Sequence, residues 1–184
     1  AAQHLSVQVH PTAAYVLAHP EANLKTESWV VLDADPGAHL YLGLRPGVTG
    51  ADVARGARDA TLPEMLRTFP AIPGEVHHLP SGTIHALGAG VLVAEVQTPS
   101  DTTFRLYDWA EEYERAPRQM HFEEAAASMV VHPGGAYSEE PATDFGVREL
   151  TANQHYWIRE HRHAIGVVEM SGQPGPRIVM VLAG

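Results

Sequence analysis

Four side chains of metal-binding type lie in three short segments of the sequence. Gln8 and His10 are two residues apart in an alternating stretch, Glu27 follows near the start of an apolar run, and His85 comes later. On a β-strand, residues i and i+2 face the same side about 7 Å apart, so both side chains can reach one ion. An amide oxygen, two imidazoles and a carboxylate make a four-ligand set that leaves positions for water or substrate on a five- or six-coordinate metal. The pattern therefore predicts a divalent metal centre.

The segment from Pro73 to His85 has a spacing that positions the last of these ligands. Pro73-Gly74 is followed by five residues, then Pro80, one residue, Gly82, two residues and His85. A Pro-Gly turn, a short strand and a Pro-x-Gly corner bring the histidine back into the molecule pointing inward. This spacing resembles the second sequence motif of the cupin superfamily. The resemblance implies a β-barrel that holds a metal ion inside.

Composition limits the metal and the partners. The 184 residues include no cysteine, so a metal must be held by His, carboxylate or amide groups, which suits zinc, iron or manganese. The formal charge of −10 disfavours nucleic acid and anionic membranes as partners. No apolar run approaches the roughly 20 residues that span a bilayer, and no signal-like region precedes an apolar stretch. We therefore expect a cytoplasmic protein; the sequence does not fix its oligomeric state.

Strand signals at short intervals dominate the chain. Alternation or β-branched runs predict strands at 5–10, 29–34, 39–44, 76–79, 83–87, 91–98 and 103–109. The turn at Asp35-Pro36-Gly37 predicts that the second and third of these form a β-hairpin. This rhythm favours a mainly β fold, a cupin jelly-roll barrel, over a sandwich of longer strands.

Helical signals are fewer. Residues 12–21 predict a short helix begun by Thr12, and residues 121–129 predict another. Between strands, residues 50–69 predict a helical insertion of two short helices split near Pro63. We expect a metal-binding cupin domain over residues 1–125, a linker over 126–146, and a C-terminal β segment over 147–184 that includes the strand-like run 178–182. Both ends lie close to strand patterns, so we expect a piece of a longer protein or a sheet completed by a partner.

Five ordered motifs extend the resemblance beyond the cupin spacing. They are Leu5 to Pro11, Lys25 to Trp29, Tyr41 to Leu44, Gly82 to Leu87 and Ser100 to Arg105. Together, over roughly residues 3 to 125, they resemble the class I mannose-6-phosphate isomerases, especially the short bacterial form. One departure is Thr12-Ala13-Ala14, where that family usually has acidic residues, and a segment that precedes the first motif in the family does not precede it here.

The resemblance implies a specific activity and ligand set. The expected reaction is a zinc-dependent aldose–ketose isomerisation of mannose 6-phosphate to fructose 6-phosphate, with one Zn²⁺ per chain and a sugar phosphate as the small-molecule partner. The implied metal ligands are Gln8, His10, Glu27 and His85. The implied active-site arginine is Arg105.

The residues themselves supply candidates for proton transfer. Moving a carbonyl between C1 and C2 requires a base beside the substrate and stabilisation of an enediolate. Glu95, on the strand after His85, is our first choice for the base if its side chain points inward. Lys25 is the only lysine in the sequence. Near a metal cation its ammonium group is disfavoured by the like charge, which makes Lys25 a candidate proton donor or relay.

Arg105 is a candidate substrate-binding residue. It follows the Ser100–Thr103 turn on a predicted strand, and its planar guanidinium can bind a phosphate or an enediolate oxygen through two hydrogen bonds. The alternative is an ion pair with an acid such as Asp101 or Glu95.

Two other functions fit parts of the pattern. Two histidines and one carboxylate also form the facial triad of non-haem iron oxygenases, although the additional Gln8 and the Arg105 segment argue against this function. A non-catalytic cupin that binds sugar and contains a structural metal is the second alternative.

Overall fold

The computed structural model of the chain describes residues 1–131, 137–139, 146–162 and 176–182. The strands are β1 (Val7–Val9), β2 (Glu27–Ala34), β3 (His39–Leu44), β4 (Leu66–Pro70), β5 (Val76–Leu79), β6 (His85–Leu87), β7 (Val91–Gln97), β8 (Phe104–Tyr107), β9 (Tyr137–Glu139), β10 (Gly146–Ala152) and β11 (Trp157–Arg162). The helices are α1 (Ala13–Ala18), α2 (Gly50–Arg58) and α3 (Phe122–Ser128), with a 3₁₀ turn at Leu62–Met65.

Two antiparallel sheets form the body of the barrel. One has the strand order β4-β3-β6-β1-β8 and the other β7-β2-β5-β9. Their inner faces meet, since His10 at the end of β1 lies 3.2 Å from Glu27 of β2. The predicted mainly β cupin barrel is confirmed.

Buried apolar residues lie on both faces of the first sheet. The outer face of the first sheet packs Val7, Val9 and Leu106 against the three helices, through residues such as Val53 and Ala125. The inner faces meet in a second cluster of buried residues: Trp29, Val31, Leu40, Leu42, Leu79, Leu87 and Val91. Because the valines of β1 face the helices, the alternation of the strand turns Gln8 into the barrel.

The hairpin β10–β11 covers the outer face of the second sheet. Leu150 packs there against Val30 and Val76. The Tyr156 hydroxyl lies 3.0 Å from Ser28 Oγ, which lies 3.0 Å from His78 Nδ1. The apolar and polar contacts together attach residues 146–162 directly behind the strand that begins at Glu27.

The predicted hairpin of residues 29–44 is wrong. The turn at Asp35 forms, with Ala38 N–H donating to the Asp35 carbonyl at 2.9 Å, but β2 and β3 lie in different sheets. Both edges of β2 are already paired, with β5 on one side and β7 on the other. The turn therefore carries the chain across from one sheet to the other.

The segment 50–69 is only partly helical. Thr49 and Asp52 form a capping box that begins α2, as the sequence predicts for the first helix. The second predicted helix is reduced to the 3₁₀ turn, because the free edge of β3 pairs with Leu66–Pro70 as β4. The spacing of the apolar residues at 62, 65, 66 and 69 is compatible with the 3.6-residue period of a helix and with a short strand, so the pattern alone did not distinguish the two.

The later part of the chain differs from expectation in two places. Helix α3 forms as predicted, but β9, within the expected linker, pairs with β5. Residues 178–182 form no strand, and Ile178 is 95% exposed. The division into a domain, a linker and a C-terminal segment stays a prediction. Of the helices in the described residues, none is long and apolar enough to cross a membrane.

Candidate metal centre

The four predicted ligands lie on or directly after three strands, and they face the inside of the barrel. Gln8 lies on β1 directly opposite His85, the first residue of β6, and His10 follows the end of β1. Glu27 begins β2 in the facing sheet. One ligand atom from each of His10, Glu27 and His85 lies within 4.8 Å of the others. The sequence-predicted carboxylate and imidazoles therefore converge on one point.

The corner at Gly82 holds β1 and β6 in this arrangement. Gly82 has φ +84°, a conformation that side chains rarely adopt, and its N–H donates to the His10 carbonyl at 3.0 Å. A Cβ there would lie 2.6 Å from a methyl carbon of Val130 and 2.8 Å from the Ser128 carbonyl oxygen. Only glycine fits this position without moving the backbone that joins two of the ligand strands.

We expect Gly82→Ala to lower both stability and metal affinity. Positive-φ strain and overpacking together should lower the free energy of unfolding by about 2–4 kcal/mol, and the shifted corner should weaken metal binding about tenfold or more. Chemical denaturation and metal titration measure the two effects. Gly37→Ala is the matched control, since Gly37 has φ +83° but nothing within 4 Å of an added Cβ. Equal losses in both variants would show that only backbone strain matters.

Both imidazole rings are oriented by backbone carbonyls. His10 Nδ1 lies 3.1 Å from the Thr102 carbonyl, and His85 Nδ1 lies 2.8 Å from the Thr83 carbonyl. Because a carbonyl can only accept, each Nδ1 carries the proton and each Nε2 presents a lone pair to the centre. Metal-bound histidines are commonly held in this way.

Three of the four side-chain atoms that face the centre have no hydrogen-bond partner among the described residues. Glu27 Oε2 lies 3.2 Å from His10 Nε2, and Glu27 Oε1 lies 3.0 Å from His85 Nε2. The three side chains are at most 2% exposed, and within the part of the chain that the structure describes, both Glu27 oxygens and His10 Nε2 lack a hydrogen bond. Buried lone pairs that point at one another are costly unless a cation lies between them. The donor set thus fits a bound divalent cation.

The protonation states also suit a cation. Burial lowers the pKa of His10 to about 4, more than the carboxylate of Glu27 raises it, so the ring is neutral at pH 7. Burial alone would raise the pKa of Glu27, but His85 and His10 outweigh it and hold that pKa far below its usual value. A buried carboxylate anion beside a neutral imidazole is a typical ligand pair for a divalent metal.

The amide of Gln8 lies at the edge of the same group. Its Nε2 is 3.3 Å from His85 Nε2. Flipping the amide exchanges its nitrogen and oxygen, which would present the carbonyl oxygen to a cation. The structure places Gln8 beside the His–Glu–His group, while its role as a ligand stays a prediction.

Lys25 and Glu95 lie next to this group. Lys25 Nζ is 3.3 Å from Glu27 Oε2 and 3.9 Å from Glu95 Oε1. Glu95 pairs with Trp29 across β2 and β7, and its Oε2 accepts a hydrogen bond of 3.1 Å from Trp29 Nε1. Glu95 therefore points into the barrel. Burial raises the pKa of Glu95, and the negative charge of Glu27 adds to the effect.

Comparisons with known proteins identify the family. Mannose-6-phosphate isomerase ManA of Bacillus subtilis is 37% identical over 125 residues, which are 67% of this chain and 39% of that protein. Mannose-6-phosphate isomerase of Streptococcus mutans is 36% identical over 128 residues, 69% of this chain and 40% of that protein. The chain belongs to the mannose-6-phosphate isomerase family. The family resemblance carried by the five motifs, including the short bacterial form, is confirmed.

Solved structures of the family show the same fold. The crystal structure of mannose 6-phosphate isomerase from B. subtilis matches with a TM-score of 0.73 and 27% identity, covering 85% of this chain and 51% of that one. A phosphomannose isomerase variant from Salmonella typhimurium matches with a TM-score of 0.56 at 15% identity, covering 83% of this chain and 58% of that one, which shows the fold alone. No family model matches the chain. The chain spans about 40% of the length of the two curated relatives named above.

Arg105, the arginine implied by the family resemblance, lies on the inner face but apart from the carboxylates. It is directly opposite Gln8 across β1 and β8. Its guanidinium donates to Ser6 Oγ and to the Gln119 carbonyl, each at 3.2 Å. Burial lowers the pKa of Arg105, and the positive charge of Arg118 lowers it further. Within the described ranges neither Asp101 nor Glu95 is an ion-pair partner of Arg105, so the predicted alternative of such a pair does not form.

Other histidines behave as the strand pattern predicts. His77 is buried inside the barrel and His78 faces outward to Ser28, so the two cannot serve one ion. His161 is exposed on β11, and His163 lies outside the described residues.

Sequence reasoning missed the contacts that orient the site. The Thr102 carbonyl and the indole of Trp29 hold the candidate site residues His10 and Glu95, and neither contact was predicted. For Trp29 the signal was present, because it shares strand parity with Glu27. For the Thr102 carbonyl no sequence signal existed, since any residue carries one.

Proposed function

We propose that the protein is a zinc-dependent aldose–ketose isomerase that interconverts mannose 6-phosphate and fructose 6-phosphate through an enediolate. The observation that carries the proposal is the buried His10–Glu27–His85 group with Lys25 and Glu95 at its edge. Membership of the mannose-6-phosphate isomerase family supports the choice of substrate. Because the chain spans only part of its relatives, the activity is proposed for this chain and not transferred from them.

The donor set assigns the metal-binding residues. His10 and His85 would bind through Nε2, Glu27 through its carboxylate, and Gln8 through its amide oxygen. A zinc ion held there supplies Lewis-acid stabilisation of negative charge on the substrate oxygens. One ion per chain satisfies the buried lone pairs.

The proton transfers fall to the two groups beside the metal ligands. Glu95 removes the proton from C2 of the open-chain aldose and returns it to C1, which converts the aldehyde carbon to a hydroxymethyl carbon. Its raised pKa brings this carboxylate closer to the working range of a general base. Lys25, 3.9 Å from Glu95, relays the hydroxyl proton from O2 to O1. The bonds balance without an external oxidant or reductant.

Arg105 binds the charged part of the substrate. The guanidinium lies on the inner face beside Gln8 and donates to two neutral oxygen atoms, Ser6 Oγ and the Gln119 carbonyl. Neither of these contacts offsets its positive charge, which can therefore attract a phosphate or enediolate oxygen.

The test is direct. The purified chain, loaded with zinc, is incubated with mannose 6-phosphate and the formation of fructose 6-phosphate is followed. We expect turnover that is lost on chelation and restored by zinc. A chain that binds zinc and the sugar phosphate without turnover would favour the non-catalytic sugar-binding cupin. Iron in the purified protein, with oxygen consumption, would favour the oxygenase.

A further inference from the structure

Trp29 contacts both the proposed base Glu95 and the proposed metal ligand His85. It lies on β2 two residues after Glu27, so both side chains point into the barrel. The indole N–H donates to Glu95 Oε2 at 3.1 Å. The same ring packs edge-on against His85, with 5.4 Å between centroids and 82° between planes. We propose that Trp29 is a positioning residue that fixes the carboxylate of Glu95 relative to the metal ligand His85.

The hydrogen bond restrains a partly exposed side chain, whose other polar contact among the described residues is the ion pair with Lys25 Nζ at 3.9 Å. Glu95 is 38% exposed at the edge of the site, whereas Trp29 is 2% exposed. A glutamate has several rotatable bonds, and a base must be held within a narrow range of distance and angle to remove a proton from carbon. The buried indole is rigid because the inner core of the barrel surrounds it.

Indole is also suited to this task by its chemistry. Its Nε1–H donates and cannot accept, so Trp29 engages Glu95 without competing for the proton that the carboxylate transfers. It occupies Oε2, while Oε1 faces Lys25 at 3.9 Å and stays available to the substrate.

The contact with His85 connects the metal-binding residues to the base Glu95. Edge-to-face packing fixes the angle between neighbouring rings. Since the His85 ring is held on its other side by the Thr83 carbonyl, the chain Thr83–His85–Trp29–Glu95 is continuous. The distance from the metal ligands to the base is thus set by one rigid side chain. This inference rests on the proposed isomerase function and adds a residue to it.

The test is a double-mutant cycle on the full chain with Trp29→Phe and Glu95→Gln. Phe keeps an aromatic ring against His85 and removes the N–H donor. We expect Trp29→Phe to keep the bound zinc and to change KM less than about twofold, while kcat falls about 10- to 100-fold, the usual size of such an indirect effect. In the Glu95→Gln background, the same change should reduce the residual kcat less than about twofold, because there is no carboxylate base left to position.

Two further variants separate positioning from packing. Trp109→Phe removes an indole that is also buried, at 3% exposed, in the outer cluster of the barrel, and we expect it to keep kcat. Glu95→Asp leaves Trp29 in place and withdraws the carboxylate by one methylene, so it should lower kcat as Trp29→Phe does. This second variant tests, without changing Trp29, whether turnover depends on where the Glu95 carboxylate lies.

Three results would overturn the inference. Trp29→Phe with the kcat of the wild type would remove the role of Trp29 alone. Equal losses on Trp29→Phe in the wild-type and Glu95→Gln backgrounds would assign the effect to general packing. A wild-type chain that does not isomerise mannose 6-phosphate would overturn the proposed function and the role of Trp29 with it.

Discussion

Glu27→Gln is expected to lose both the bound metal and turnover. Glu27 is fully buried and supplies one oxygen to each imidazole, at 3.2 Å and 3.0 Å. The substitution keeps the shape but removes the negative charge that balances a divalent cation. Without the cation, the developing oxyanion is not stabilised, so kcat/KM should fall by about 10³-fold or more. Metal analysis and the isomerase assay measure the two losses.

The same substitution should also abolish the stabilisation of the chain by added zinc. Adding zinc should raise the unfolding temperature of the wild type, because an ion that binds only the folded state stabilises it, by about 4 kcal/mol at a thousandfold excess over Kd. Glu27→Gln should not respond to zinc.

Glu21→Gln is the matched control. Glu21 also lies 3.2 Å from a histidine nitrogen, that of His19, but both side chains are exposed. We expect this variant to keep zinc, stability and turnover. If Glu27→Gln also kept its zinc, Glu27 would not be a ligand.

Arg105→Ala is expected to abolish turnover while zinc is retained. The guanidinium contacts Ser6 and the Gln119 carbonyl rather than the His–Glu–His group, so its removal leaves the metal ligands in place. Loss of a charge that binds the phosphate or the enediolate should reduce kcat/KM by about 10²- to 10³-fold. Steady-state kinetics with parallel metal analysis measures this.

Two variants sharpen that result. Arg105→Lys keeps the positive charge but not the planar pair of donors, and we expect only partial recovery. Arg55→Ala, on the exposed face of α2, removes an arginine far along the chain from the ligand strands and should leave turnover unchanged. A fully active Arg105→Ala would remove Arg105 from the site.

The placement of the candidate ligands inside the barrel was predictable because its signals are local. Strand alternation places Gln8 and His10 on one face, and the Pro80-x-Gly82 corner determines where His85 enters. These are properties of a few neighbouring residues. The inward direction of Glu95 was left open by the sequence, since it depends on the register of β7 against β2.

The features that sequence reasoning missed depend on distant partners. The turn at Asp35 has the residues of a hairpin turn, but β5 and β7 already occupy both edges of β2. In the same way, residues 66–70 became a strand because the edge of β3 was free. Pairing partners far along the chain decided both cases, and local patterns carry no information about them.

The most direct test of the central claim is the metal content of four single variants, Gln8→Ala, His10→Ala, Glu27→Gln and His85→Ala, compared with the wild type. The chain is purified without added metal, loaded with zinc and dialysed. Our account predicts one zinc ion per wild-type chain, its loss in the His10, Glu27 and His85 variants, and weakened binding in the Gln8 variant. Retention of one zinc ion by the His10, Glu27 and His85 variants alike would contradict it.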